Sequence, residues 1–292
     1  MHDHGVSISV FASDVEIARY MYEGDMPLYE SPKPYFHPLR TLSGAVVTAY
    51  RPHDHRWHKG LAMTLTDVSG WNFWGGPTYV DGPGYVALDN NGVIRHDGFD
   101  TVRRRDDEVE VVERLCWAPA RQDPWIAEHR GLRVHDVDRA LGTWALDVGS
   151  SMHNMRGEPL VLGSPTTAGR ELAGYSGLFW RGPRGFTGGD VFTADEQGAA
   201  AMGTSAPWLA YSGQHDEVDG GATLLWIEAP DNPPVRWFVR NDPFPAVAPS
   251  PAFFDELTIP AGGTLRLRHR VVIADGRWDR PAAQSYVDGH RL

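Results

Sequence analysis

The stretch TLRLRHRVVI, residues 264–273, carries the pattern that decides the predicted fold. Its side chains alternate, with Leu265, Leu267, His269 and Val271 on one face and Arg266, Arg268 and Arg270 on the other. Successive side chains of a strand point to opposite faces, so this alternation indicates a β-strand with one face buried. The preceding PAGG, residues 260–263, is a turn signal. The stretch therefore predicts a half-buried strand that follows a tight turn.

Similar alternation recurs along the chain in DDEVEVVERLCW (106–117), GTWALDVG (142–149), ATLLWIEAP (222–230) and VRWFVRND (235–242). Clusters rich in Gly, Pro, Asp and Asn separate such runs, among them DGPGY (81–85), DNNG (89–92) and NDPFP (241–245). Many short strands with this punctuation are typical of a sandwich or barrel. The pattern predicts an all-β fold, a single large antiparallel β-sandwich domain over residues 1–292.

Helical segments are scarce in the sequence. Asp14–Met21 fits either a short amphipathic turn or another strand. Pro281–His290 has a proline where a first helical turn accepts one and Gly289 near its end. The sequence therefore predicts one short helix at the C-terminus.

Composition and charge exclude several classes of protein. The chain has 292 residues, 41% apolar and 22% charged, which is an ordinary globular balance. Its net charge of −11, with no block of Lys or Arg, argues against nucleic acid or an anionic membrane as partner. The single cysteine, Cys116, excludes an intrachain disulfide framework. We find neither a signal peptide nor an apolar run that could span a membrane, and therefore expect a cytoplasmic location.

Familiar catalytic motifs are also missing from the sequence. No GxGxxG follows a strand, and the P-loop, GxSxG and HExxH patterns are absent. These absences argue against Rossmann, kinase-like and α/β-hydrolase folds and against a zincin metal site.

The densest group of chemically active side chains lies in residues 33–60, which hold His37, Arg40, His53, Asp54, His55 and His58. On a strand, His53 and His55 would share one face, and a bend at Trp57 would bring His58 beside them. Imidazoles at this spacing suit three roles: ligands to one divalent metal ion, acid/base groups near neutral pH, or polar groups of a surface loop. We predict that His53, His55 and His58 are catalytic and meet His37 at one pocket, and we keep them as candidate metal ligands.

An aromatic segment, SGWNFWGGPTYV, follows at residues 69–80. Exposed aromatic faces can stack on the apolar faces of sugar rings, and glycines let a ligand approach the backbone. The alternative is that these rings belong to the sandwich core. From this segment we take Asn72 and Trp74, together with His37 and Arg40, as candidate substrate-binding residues.

Two further segments supply candidate arginines. GRELAGYSGLFWRG, residues 169–182, contains Tyr175 and Arg181, and the alternation places Arg181 on the strand face opposite Trp180. Arg240 lies in FVRNDPFP. A guanidinium can fork onto a carboxylate or sugar hydroxyls, although an internal Arg–Glu pair would explain the first segment equally well. We add Tyr175, Arg181 and Arg240 to the candidate substrate-binding residues.

Several of these strings together resemble a known family. They are KPYFHPLRTLSG, RPHDHRWHKGLA, GWNFWGG, GYSGLFWRG, WFVRNDPFP with SPAFFDE, and PAGGTLRLRHRVVIADG. In order and spacing, over about residues 30–280, they resemble the soluble family often labelled "methane oxygenase PmoA-like", whose function is unknown and whose genes occur in sugar-catabolic clusters. The resemblance implies carbohydrate catabolism and a large sandwich like that of galactose mutarotases, a supersandwich whose sites use His and a carboxylate.

Three functions remain open at this point. We favour a carbohydrate-active enzyme that acts on a sugar or keto-sugar glycoside by His-based acid/base chemistry, as an epimerase, lyase or hydrolase. The second reading is a carbohydrate-binding protein without activity, and the third is a metal-dependent oxygenase. The expected partner is a small carbohydrate, and the one cofactor to consider is a divalent metal ion.

Overall fold

Antiparallel strands are the main regular element of the computed structural model, which describes residues 1–120, 122–290 and 292. In the first part of the chain the strands are β1 (His2–Asp3), β2 (Ser7–Ala12), β3 (Val15–Met21), β4 (Tyr35–Leu39), β5 (Leu61–Thr64), β6 (Asp67–Val68), β7 (Thr78–Val80), β8 (Gly84–Val86), β9 (Gly92–Arg104) and β10 (Val109–Pro119). In the second part they are β11 (Ile126–Asp138), β12 (Thr143–Asn154), β13 (Leu160–Gly163), β14 (Gly177–Arg181), β15 (Asp190–Phe192), β16 (Trp208–Gln214), β17 (Gly221–Glu228), β18 (Arg236–Arg240), β19 (Ala246–Ser250), β20 (Leu257–Ile259) and β21 (Thr264–Asp275). Three short 3₁₀ turns span Leu28–Glu30, Arg184–Phe186 and Gly198–Ala201.

Two sheets of eight strands each dominate the described residues. The first sheet has the order β1-β2-β3-β4-β5-β14-β19-β18, and the second has the order β15-β16-β17-β21-β12-β11-β10-β9. A three-stranded sheet, β20-β13-β6, and a two-stranded ribbon, β7-β8, complete the structure. The prediction of an all-β fold with large antiparallel sheets is confirmed. The single domain over 1–292 stays a prediction.

Strand β21 shows how the alternation of the sequence builds the core. It pairs with β12 on one side and with β17 on the other, so it lies inside the second sheet. Leu265, Leu267, Val271 and Ile273 point into the main core between the sheets. Arg266 and Arg268 are exposed on the opposite face. The period-two pattern thus places the apolar face of the strand inward, as predicted.

The C-terminal helix covers part of the other face of this sheet. Helix α1 (Arg280–Gly289) begins where the Asp279 side chain accepts a hydrogen bond from the Ala282 N–H. Ala283 and Tyr286 of the helix pack beside Val272 of β21. The predicted short helix is therefore confirmed. The segment that fitted either a turn or a strand forms β3, which pairs with β2 and β4.

A second aromatic cluster lies on the face of the first sheet that points away from the main core. In β14, Leu178 and Trp180 face the core, whereas Phe179 belongs to the outer cluster. In β18, Trp237 faces the core, whereas Phe238 belongs to the outer cluster. Because side chains alternate, the next outward residues, Arg181 and Arg240, lie on this same outer face.

Candidate active site

A cavity of about 350 Å³ opens on the outer face of the first sheet. Its volume lies at the lower end of the ~300–1,000 Å³ range of small-ligand pockets, which is enough for about one sugar ring. The lining is rich in aromatic rings and contains two imidazoles and two guanidinium groups. The residues are His55, Trp57, His58, Trp74, Gly75, Pro77, Tyr85, Arg170, Tyr175, Phe179, Phe238, Arg240, Pro243 and Phe244.

The loop between β4 and β5 brings His55 and His58 together. The His55 N–H donates to Pro52 O at 3.0 Å, and the His58 N–H donates to His55 O at 3.0 Å. These i to i+3 bonds place residues three apart on one side of the loop, as in a 3₁₀ turn. The two rings stack, with centroids 4.7 Å apart and an angle of 25° between their planes.

The Asp54 carboxylate lies beside the first of these rings. Its Oδ2 is 3.3 Å from Nδ1 of His55, which is an ion-pair contact without hydrogen-bond geometry, and that nitrogen is buried. Burial lowers the pKa of His55, and the Asp54 charge opposes this by raising it. A neutral His55 therefore keeps its proton on Nδ1, next to the carboxylate, and leaves Nε2 as a free base.

An arginine lies beside the second ring. Nη1 of Arg181 donates to Nδ1 of His58 at 3.0 Å. Since a guanidinium has no acceptor, Nδ1 of His58 must carry the lone pair and Nε2 the proton. Burial, the His55 ring and the Arg181 charge hold the pKa of His58 well below the usual range. His58 is thus a neutral hydrogen-bond donor.

The two imidazoles therefore present opposite functions to the cavity. Both rings line it, and their Nε2 atoms are neither hydrogen-bonded within the described chain nor buried. Nε2 of His55 can accept a proton, and Nε2 of His58 can donate one. A base and a donor on stacked rings can act on two neighbouring atoms of one bound molecule.

Tyrosines and arginines form the opposite part of the lining. The hydroxyls of Tyr85 and Tyr175 are 2.5 Å apart, and Nη1 of Arg170 donates to the Tyr85 hydroxyl. Burial raises the pKa of Tyr175 well above the usual range, so this phenol keeps its proton. Arg240 packs against Phe238, with its guanidinium carbon 5.6 Å from the ring centre.

Buried lysines hold the wall that carries Trp74. Nζ of Lys33 donates to the Trp74 carbonyl at 2.9 Å and to the Ser31 carbonyl at 2.7 Å, and burial together with the Lys59 charge lowers its pKa well below the usual range. Glu30 accepts hydrogen bonds from Arg51 and from Lys59, which is fully buried. The only two lysines of the chain thus both support this site.

A close backbone approach completes this wall at Gly75. The residue has φ of +102°, and an added Cβ would lie 2.6 Å from the Glu30 carbonyl oxygen. Only glycine combines this dihedral angle with this clearance. The backbone beside Trp74 is therefore held tightly against the Glu30 turn.

Three of the candidate residues lie outside the cavity. His53 is exposed, with Nδ1 3.2 Å from Arg184, because the loop turns with a three-residue period rather than the two-residue period of a strand. Nδ1 of His37 lies 2.9 Å from the Thr48 hydroxyl, and its ring stacks on Tyr50. Arg40 sits at the end of β4, and like the other two it does not line the cavity. The expected meeting of His37 and His53 with the other imidazoles is therefore wrong.

Two further candidates have supporting positions. The Asn72 Oδ1 accepts from the N–H groups of Trp74 and Gly75 at 2.9 and 2.8 Å, so this amide shapes the turn and does not line the cavity. Arg181 is 0% exposed, so its guanidinium is not open to a ligand in the way that the predicted substrate-binding role requires. It lies behind the Phe244 ring, 3.8 Å from the ring centre, and acts on the cavity through His58. The candidates that line the cavity are His55, His58, Trp74, Tyr175 and Arg240.

The donor atoms do not fit a metal ion. Within residues 1–120, 122–290 and 292, no group of three or more His, Cys, Asp or Glu side chains is arranged to hold one. His53 points away from His55 and His58, whose Nδ1 atoms face Asp54 and Arg181. The predicted set of His ligands is not assembled. The hypothesis of a metal-dependent oxygenase therefore loses the metal ligands on which it depended.

Sequence reasoning missed several lining residues. Arg170 lies in the segment 169–182 but was not among the candidates, Tyr85 comes from a distant segment, and Phe179, Phe238 and Phe244 carry no polar atom that marks a site. For the two strand phenylalanines a signal existed, because Phe179 and Phe238 each lie two positions before a candidate arginine and so share its face. For Tyr85 no local signal existed.

Comparison with known families adds one assignment. The model of a family of unknown function, DUF6807, matches residues 7–288. The chain belongs to this family. The DUF6807 description carries no activity, so the methane-oxygenase label of the sequence resemblance is not supported by it.

Other comparisons add little to the DUF6807 assignment. No curated protein matches the chain. Among solved structures, the GH36 alpha-galactosidase AgaA from Geobacillus stearothermophilus, in complex with raffinose, is similar with a TM-score of 0.41 and 12% identity. The match covers 90% of this chain and 40% of that enzyme, so the chain spans less than half its length. A likeness at this level carries no information about a reaction.

Membrane-spanning helices are not found in the described part of the chain. None of its helices is long and apolar enough to cross a bilayer.

Proposed function

We propose that this protein is a carbohydrate-active enzyme that transfers a proton at a carbon next to a carbonyl group, as an epimerase or a lyase. One observation carries the proposal. His55 and His58 stack at the cavity with opposite partners, Asp54 and Arg181, which make one ring a base and the other a donor.

His55 acts as the base in this reaction. Nε2 takes the proton from the carbon, and the C–H electron pair moves into the adjacent carbonyl, forming an enolate. The lowered pKa of His55 keeps the ring unprotonated at neutral pH, and Asp54 stabilises the imidazolium that forms. Protonation of the opposite face of the enolate by water gives an epimer, and His55 then releases its proton to solvent. Alternatively, the enolate re-forms the carbonyl and expels the substituent of the next carbon, which leaves with the electron pair of its bond and takes the proton from His55, so that elimination results.

His58 stabilises the enolate. Its Nε2–H donates to the carbonyl oxygen, where negative charge develops in the transition state. Arg181 sets this tautomer from behind, and its charge disfavours protonation of the ring. In enzymes of other folds, a neutral imidazole likewise donates a hydrogen bond to the carbonyl oxygen of the substrate.

The lining favours proton transfer over hydrolysis. Glycoside hydrolysis ordinarily uses two carboxyl groups that flank the scissile bond. No Asp or Glu is among the described residues that line the cavity. The nearby carboxylate, Asp54, is occupied with His55. Of the reaction types open from the sequence, epimerisation and elimination fit this site best.

Aromatic walls support a sugar as the substrate. Trp74 packs against Tyr175 and Phe179, with ring centres 4.7 and 4.4 Å apart, and the three rings form one surface of the cavity. Apolar ring faces match the C–H faces of a pyranose. Hydroxyls and imidazoles at the edges of this surface can bind the sugar hydroxyls.

The decisive experiment is proton exchange with solvent. Sugars oxidised at C3, their glycosides and hexuronates are incubated with the protein in D₂O, and deuterium uptake at carbon is followed by NMR. We expect uptake with at least one member of the panel. We expect His55→Asn to reduce it by about 10³-fold or more, since it removes the base.

The matched control is His53→Asn, which removes an imidazole of the same loop from an exposed position outside the cavity. This variant should exchange at the wild-type rate. Equal loss in both variants would contradict the assignment of His55. Binding of a sugar with no exchange in the wild type would favour the carbohydrate-binding protein instead.

A further inference from the structure

Two arginines line the cavity without an acidic partner. Arg170 is held by the Tyr85 hydroxyl and ring, and Arg240 by the Phe238 ring. Within the described residues, neither guanidinium forms an ion pair, and no carboxylate lines the cavity. Two arginines and two neutral imidazoles give this lining a formal charge of +2, whereas the whole chain carries −11.

The two guanidinium groups act on one part of the cavity. Arg170 donates to the Tyr85 hydroxyl, which lies 2.5 Å from the Tyr175 hydroxyl. The Tyr175 ring packs on Phe238, with ring centres 5.3 Å apart, and the Arg240 guanidinium lies over the same Phe238 ring. The Arg240 charge also lowers the pKa of His55. An anion bound there would be close to the reacting carbon.

A buried third arginine strengthens the positive potential from below. Arg181 is 0% exposed, and its Nε and Nη2 atoms are buried without a hydrogen-bond partner. Asp54 is its closest carboxylate, at 4.0 Å. Charges in a low-dielectric setting act over longer distances than in water. The Arg181 charge therefore raises the positive potential in the cavity, although the guanidinium does not contact the ligand.

We propose that the sugar bound in this cavity is a sugar acid, whose carboxylate is held by Arg170 and Arg240. The inference deepens the proposed function, on which it rests, by naming the substrate class. A planar guanidinium matches a carboxylate through two parallel hydrogen bonds. The protonated Tyr175 hydroxyl, or that of Tyr85, supplies a further donor. The aromatic walls would hold the sugar ring while these groups hold its anionic end.

A carboxylate fits this site better than a phosphate. Phosphate groups are commonly cradled by backbone N–H groups at a helix N-terminus or a glycine-rich nest. The cavity presents side-chain guanidinium and phenol groups from strands and loops, and the one α-helix of the described residues packs against the second sheet. Sugar phosphates are therefore the anionic comparison that the test must include.

Isothermal titration calorimetry tests this inference separately from catalysis. The probes are glucuronate and galacturonate, the matched neutral sugars glucose and galactose, and glucose 6-phosphate. We expect at least one uronate to bind about tenfold or more tightly than its neutral partner and than the phosphate, a difference of about 1.4 kcal/mol. Added salt should weaken the uronate and leave the neutral sugar unchanged.

Variants assign this preference to residues. Arg240→Gln and Arg170→Gln should each reduce uronate affinity by about tenfold with little effect on the neutral sugar. Arg240→Lys should retain only part of the wild-type uronate affinity, since it keeps the charge and loses the planar fork. The control is Arg266→Gln, which removes an exposed arginine from the second sheet. Its binding should equal that of the wild type.

The outcomes separate the two proposals. Tight uronate binding by His55→Asn, with no deuterium exchange even in the wild type, keeps the sugar-acid assignment and overturns the proposed chemistry. Exchange on neutral keto-sugars, without a preference for uronates, keeps the proposed chemistry and overturns the sugar-acid assignment. Equal affinity for acid and neutral sugar, tighter binding of the phosphate, or no binding of any probe overturns the sugar-acid assignment.

Discussion

Two regions of this molecule that contain buried charge are built differently. One region is a network inside the main core, around Arg130 and Glu128. The other lies behind the cavity, around Arg181 and His58. Both contain a fully buried arginine, with exposures of 2% and 0%. The difference lies in how completely each guanidinium is paired.

The core network is saturated with partners. Arg130 donates to both carboxylate oxygens of Glu128 at 2.8 Å and to the Tyr20 hydroxyl at 3.2 Å. Glu128 also accepts from the Trp117 indole at 2.7 Å and from Ser150 at 2.7 Å. Every nitrogen and oxygen atom of the Arg130 and Glu128 side chains has a partner within the protein, so none is left unpaired for a ligand.

The cavity region is paired only in part. Arg181 makes one hydrogen bond, to His58, and leaves two nitrogens without partners. The Nε2 atoms of His55 and His58 remain available to the cavity. Unpaired buried groups are unfavourable for stability, and they concentrate where a ligand is to supply the missing contacts. The contrast separates charge that stabilises the fold from charge that serves the site.

The largest effect is expected from breaking the core network. Arg130→Met removes the cation and leaves the Glu128 carboxylate buried without its partner. We expect the free energy of unfolding to fall by about 3–5 kcal/mol, as measured by urea denaturation. Sugar binding by the fraction that remains folded should be unchanged. A loss below about 1 kcal/mol would show that the network contributes little to stability.

The same substitution at Arg181 should behave in the opposite way. Arg181→Met removes an incompletely paired buried charge, so stability should stay within about 1 kcal/mol or rise. Without its donor, His58 loses the fixed tautomer, and the rate of proton exchange should fall by about tenfold, or 1.4 kcal/mol of transition-state stabilisation. Thermal unfolding and D₂O exchange measure the two quantities. Strong destabilisation with an unchanged exchange rate would erase the contrast between the two arginines.

Asp54→Asn sharpens the comparison through pH. The Asp54 charge raises the pKa of His55, so its removal lowers that pKa further. Since the base must be neutral to act, the acid limb of kcat/KM should move to lower pH. The rate at pH 7 should fall severalfold because the base is weaker. A pH–rate profile checks this, and movement of the limb to higher pH would refute the pairing.

The smallest effect is expected at His37, outside both regions. Burial lowers the pKa of His37 to about 4 in the folded protein, below the value of about 6.5 of a free imidazole. The unfolded chain therefore takes up a proton that the folded chain does not, and stability present above pH 6.5 is lost as the pH falls toward 4. His37→Gln should reduce the stability lost between pH 7 and 5 by about 1 kcal/mol. Urea titrations at the two pH values measure this, and exchange at pH 7 should be unaffected.

Sequence reasoning identified the aromatic and cationic character of the site but not its assembly. The alternation in GLFWR correctly placed Arg181 opposite Trp180, and the same rule places Arg240 opposite Val239. Reading the histidine loop as a strand wrongly placed His53 beside His55, whereas the other predicted neighbour, His58, does lie there. Turn hydrogen bonds from Pro52 onward bring His55 and His58 together and leave His53 outside.

What the sequence alone determined is the fold class, because strand sterics are local. Apolar residues at every second position of 264–273 require a buried face whatever the neighbouring strands are, and Asp279 before Pro281 starts a helix within one turn. Only the tertiary structure decided the site. Tyr85 meets Tyr175 across 90 residues of chain, and Arg181 reaches His58 across 123. Such contacts depend on which strands pair and how loops pack, and no local pattern encodes that.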